Sequence, residues 1–88
     1  MIELKNIDLS KVEPADQMRK FDEEYEEFIE SVVDHAYGKD KSNEHMIEEF
    51  YDLLQAGLGL LTFEGVYADE VMAGYPKHLE KLKHRPRD

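Results

Sequence analysis

Glu23-Glu24-Tyr25-Glu26-Glu27 and Glu49-Phe50-Tyr51-Asp52 are the two stretches on which the reading of this chain turns. In each, acids stand three residues apart inside an apolar pattern of helical period, so the pair stacks on one face of a helix. Upstream and downstream of the first, Met18, Phe21, Tyr25, Phe28, Ile29, Val32, Val33 and Ala36 form one stripe at spacings of three and four. Around the second, Met46, Ile47, Phe50, Leu53, Leu54, Leu58 and Leu61 do the same.

Start and stop signals frame these helices. Pro14 and Asp16 open the first, which runs to about Tyr37, and Gly38 stops it. After the loop Lys39-Asp40-Lys41, Ser42 or Asn43 caps the second, and Gly65 ends it. Gly57 and Gly59 fall inside the second stripe, where the missing side chain lets another helix come close or else breaks the helix. A third helical stretch spans about Ala68 to His84, with Val71, Met72, Tyr75, Leu79 and Leu82 apolar. Gly74 and Pro76 lie within it and predict a kink or a division into two short helices. Residues 1–13 read as an extended or irregular arm and 77–88 as a basic tail. The expected fold is therefore all-α, in a single domain covering 1–88: a helical hairpin plus a third helix, completing a four-helix-type bundle across an oligomer.

Charge and composition narrow the function. The 88 residues carry a net charge of −10. Lys77, Lys81, Lys83, Arg85 and Arg87 face only Glu80 and Asp88 in the tail, so the whole deficit sits in the acidic body before it. Such a body repels nucleic-acid backbone, and no nucleic-acid partner is expected. No apolar run approaches a membrane span and no signal-peptide layout is present, so the expectation is a cytoplasmic protein without a membrane partner. There is no cysteine, which excludes disulfides and thiolate metal sites.

The acids themselves point to a hard cation. A helix advances about 100° per residue, which puts Glu24 and Glu27 roughly 100° and 160° to one side of Tyr25. Glu49 and Asp52 take about the same offsets from Phe50, on the same side. Four carboxylates so matched on two helices suit Mg²⁺ or Mn²⁺. No histidine stands three residues after an acid, as a di-iron bundle needs. An EF-hand starting at Asp40 would have His45 at the glycine position and Tyr51 at the closing glutamate. No zinc-protease motif or glycine-rich phosphate loop occurs.

Glu23-Glu24-x-x-Glu27 followed by Glu49-x-x-Asp52 resembles the paired motifs of the MazG-like all-α nucleoside triphosphate pyrophosphohydrolases, over about residues 15–85. The resemblance implies Mg²⁺ held by Glu24, Glu27, Glu49 and Asp52, with Glu23 as a supporting catalytic acid. It implies cleavage of a nucleoside triphosphate to the monophosphate and pyrophosphate. His78, Lys81 and Arg85, one turn apart, are the expected phosphate contacts, and Tyr51 the candidate for the nucleobase. A chain this short implies a homodimer or homotetramer, the second subunit completing the pocket. Two other readings stand beside this one: an acidic helical oligomerisation or adaptor protein without catalysis, and a phosphoribosyl-ATP pyrophosphohydrolase using the same motifs. His35 and His45 are expected at the surface or near the loop rather than as ligands.

Overall fold

A computed structural model describes residues 2–85; Met1 and residues 86–88, including Arg87 of the basic tail, lie outside the described residues. Among the described residues there are three helices and no strand: α1 (Pro14–Ala36), α2 (Asn43–Phe63) and α3 (Ala68–Lys83). Each boundary has a local cause. Pro14 occupies the first turn of α1, where its missing N–H is no loss. The Ser42 hydroxyl accepts the His45 N–H at 3.1 Å and so caps α2.

Both helices of the hairpin close in the same way. Gly38 and Gly65 take φ of +78° and +82°, a region that L side chains avoid. Their N–H groups donate to His35 and Thr62 O, while the following Lys39 and Val66 N–H groups donate to Asp34 and Leu61 O. This double closure satisfies carbonyls that a helix end would otherwise leave bare.

α1 and α2 pack on each other as an antiparallel hairpin, and α3 packs extensively on neither. The start of α3 is instead held by the arm, which contains a turn but no helix or strand. The Asn6 side-chain oxygen accepts the Ala68 N–H at 2.9 Å, and its amide donates to Thr62 Oγ1 at 2.8 Å. Leu4 N–H donates to Met72 Sδ, and Gln55 Nε2 to Lys5 O.

Two expectations change here. First, of the kink or division expected at Gly74 and Pro76, the division does not occur: α3 is one helix with Pro76 inside it. Pro76 and Gly74 are both exposed, and Gly74 faces open space, so no packing is lost there and solvent can serve the carbonyl left unpaired. Second, α1 turns inward only the edge of its apolar stripe, with Phe21 and Phe28 reaching α2 beside a polar line. Its buried residues are Gln17, Glu24 and Ser31, seven apart and hence on one line. Tyr25, Ile29, Val32 and Val33, along the middle and later turns of the stripe, are all more than a third exposed. On α2 the buried residues are Ala56, Leu58 and Gly59, and among the described residues no large side chain is fully buried.

The seam is narrow because its residues are small or polar. A Cβ on Gly59 would stand 2.5 Å from Gln17 Nε2, so the backbone of α2 approaches α1 as closely as glycine permits. Gln17 donates to Ala56 O at 3.0 Å across the same contact. Further along, the rings of Phe28 and Phe50 meet at 5.5 Å and a 56° tilt.

Candidate metal centre

Two turns along α1 from Gln17, the same face delivers Glu24 into the seam, only 5 % exposed. From α2 come Glu49, half-buried, and Asp52, exposed at the rim. One oxygen from each of Glu24, Glu49 and Asp52 lies within 4.8 Å of the others. The grouping follows from the spacing: 49, 52, 56 and 59 alternate by three and four along α2, so the acids share the line on which Ala56 and Gly59 meet Gln17.

The two glutamates are arranged alike. Lys20 Nζ stands 2.7 Å from Glu24 Oε1, and His45 Nε2 stands 3.4 Å from Glu49 Oε1. Oε2 of each glutamate is buried and has no hydrogen-bond partner. Buried polar atoms are nearly always paired, because an unpaired one forfeits its hydration without return. Two orphaned carboxylate oxygens, on two glutamates of one cluster, could therefore be completed by a cation. An all-carboxylate donor set suits a hard one, Mg²⁺, Mn²⁺ or Ca²⁺, over zinc or copper.

The surrounding electrostatics carry the imprint of crowded acids. The charge of Glu24, then burial, then the charge of Glu49 push the Glu27 carboxyl above its usual range. The hydrogen bond to Glu24 raises Lys20. The bond from Asp40, whose Oδ2 is 2.7 Å from Nδ1, raises His45.

Of the residues singled out from the sequence, Glu24, Glu49 and Asp52 are thus brought together. Glu27 lies within their field but outside the group of three, and Glu23 is exposed. Tyr51 is exposed, its ring 6.5 Å from that of Phe50. His78, Lys81 and Arg85 are exposed along and just beyond the second half of α3. Lys81 and Arg85 line a shallow basic depression there with Lys77, Glu80 and His84, and among the described residues none of the three pairs with the acidic cluster. Sequence reasoning passed over Lys20 and set His45 aside. Their signal was present: each stands four residues before a buried glutamate, one helical turn away.

Beside the cluster runs an open apolar groove of about 340 Å³, whose wall includes Phe21, Phe50, Leu53, Leu54 and Leu61, with Val71 from α3. Phe50 and Leu53 directly follow Glu49 and Asp52 in the chain. No helix among the described residues is long and apolar enough to cross a membrane. Comparison with family models, with curated proteins and with solved structures finds no match to this chain.

Proposed function

We propose that this chain is a Mg²⁺-dependent nucleoside triphosphate pyrophosphohydrolase, acting as a homodimer or homotetramer in the cytoplasm. The observation that carries the reading is the pair of orphaned, buried oxygens on Glu24 and Glu49, beside Asp52 and held on two helices. Glu24, Glu49 and Asp52 hold the ion, Glu27 adds a fourth carboxylate from the exposed side, and Glu23 supports them. Bound there, the cation supplies charge neutralisation to the phosphate oxygens and lowers the pKa of a coordinated water. The groove alongside offers rings and leucines against which a nucleobase packs. His78 and Lys81 lie on the second half of α3 and Arg85 just beyond it, away from the hairpin's main packing. For them to meet the phosphates, subunit assembly must bring that helix to a site.

Assembly has its own support. Tyr25, Ile29, Val32, Val33, Ile47 and Phe50 remain exposed on the hairpin, the pattern of a surface that a partner covers. The same exposure favours the second reading, an acidic helical adaptor that assembles without catalysis. One assay separates them. Pyrophosphate release is measured over a panel of canonical, deoxy and modified nucleoside triphosphates and phosphoribosyl-ATP, with Mg²⁺ and with EDTA. Metal-dependent release is the expected result and names the substrate class. Silence across the panel, with no metal binding, leaves the adaptor.

A further inference from the structure

Lys20 precedes Glu24 by four residues on α1, and His45 precedes Glu49 by four on α2. In both cases the nitrogen meets Oε1, at 2.7 and 3.4 Å, and in both the other oxygen is buried without a partner. The His45 ring is itself held from behind by Asp40, 2.7 Å from Nδ1. A glutamate carboxyl rotates easily about its last torsion, and nothing in the alkyl chain decides which oxygen faces a site. A nitrogen fixed on one oxygen does decide it.

We propose that Lys20 and His45 are positioning residues of the metal centre. Each holds Oε1 of one buried glutamate and presents Oε2 as the single donor to the ion, so that both glutamates bind end-on. The inference rests on the metal reading above and adds to it the residues that orient its ligands. Groups that hydrogen-bond to ligating carboxylates commonly set metal affinity in this way.

The proposal has a sign that electrostatics alone would reverse. The Lys20 ammonium near the site repels an incoming divalent ion, as does the His45 ring when protonated, so deleting either one does not weaken binding if charge is all that matters. If they orient the ligands, deletion weakens it. Mn²⁺ binding to the full chain is followed by electron paramagnetic resonance for wild type, Lys20→Met, Lys20→Arg, His45→Ala and His45→Gln, with circular dichroism checking the fold of each. Lys20→Met and His45→Ala are expected to weaken Mn²⁺ binding by about tenfold or more. Lys20→Arg and His45→Gln, which keep a donor, recover most of it. Unchanged or tighter binding in Lys20→Met, or an arginine variant as weak as the methionine one, overturns the proposal.

Wild type supplies a second readout that needs no variant. The infrared difference spectrum on adding Mg²⁺ is expected to show the widely split carboxylate bands of end-on binding; the narrower splitting of two-oxygen chelation overturns the proposal. If wild type binds no Mn²⁺, the metal reading falls and takes this one with it. If wild type binds and Asp52→Ala does not, while Lys20→Met and His45→Ala bind as wild type does, the metal reading stands and only the positioning role is lost.

Discussion

Gln17 and Glu24 occupy the same line of α1, two turns apart, and both are buried against α2, at 4 % and 5 % exposure. They differ in how their polar ends finish. The Gln17 amide donates to Ala56 O in a cleft that Gly59 leaves open for it. One Glu24 oxygen pairs with Lys20 and the other has no partner. Burying a polar group in a helix seam is tolerable when the bond is made inside the chain, and Gln17 is a structural latch for that reason. When the bond is left unmade, the position is costly unless something from outside completes it. The contrast separates a residue that holds the hairpin together from one whose cluster could hold a cation.

The largest effect expected on that contrast comes from Glu24→Gln. It removes the buried charge, so Mn²⁺ or Mg²⁺ affinity should fall by more than about 100-fold, beyond what outer contacts alone account for. In EDTA the same variant should melt at a higher temperature than wild type, because the unpaired buried oxygen no longer belongs to a charged group. A Glu24→Gln protein that still binds the ion would dissolve the distinction. Adding the ion itself is the converse manipulation. At a concentration a hundredfold above Kd it should stabilise wild type by about 2.7 kcal/mol and leave Glu24→Gln unmoved, as thermal melts would record.

Gln17→Ala should behave in the opposite sense, losing about 1–3 kcal/mol in urea unfolding while the folded protein keeps wild-type metal affinity. Gly59→Ala should destabilise too, by displacing the Gln17 amide, although alanine is the better helix former. Gly57→Ala is its control, because a Cβ there meets Phe21 at an ordinary 3.4 Å. It should be neutral or stabilising.

Smaller again is the cap of α2. Ser42→Ala should cost about 1 kcal/mol in the same urea assay. The smallest effect concerns Asp40, whose carboxyl is held below its usual value of 3.8 first by the Ser42 N–H and then by His45. A carboxyl lowered in the folded state contributes stability above pH 3.8, and that contribution disappears as pH falls through the folded value. Acid titration of wild type and Asp40→Asn should therefore show a stability gap at neutral pH that closes below 3.8.

Much of this was legible in the chain. Gly38, Gly65 and Ser42 act locally, and local chemistry is what a sequence displays. The approach at Gly59 was legible as well, since a glycine inside an apolar stripe has few other uses. The spacing of Glu24 against Glu49 and Asp52 was readable because two helices carried matching offsets. What escaped was the choice of face. The stripe through Tyr25, Ile29 and Val32 announces that something must cover it, but periodicity does not say what, and α2 meets the line Gln17, Glu24 and Ser31 with only Phe21 and Phe28 from the stripe's edge. Proline rules likewise count a lost hydrogen bond at Pro76 without knowing that the helix there lies open to solvent.

The arm carries a consequence for the order in which the molecule assembles. Asn6 fastens the corner between α2 and α3 through Thr62 and Ala68, partners 56 and 62 positions away. The hairpin joins neighbours in sequence, whereas this fastening closes a loop of 62 positions, and contacts of such separation are expected to form late. The orientation of α3 is therefore expected to be acquired after the hairpin and lost before it. Loosening Asn6 should hasten unfolding while hardly slowing the hairpin's formation.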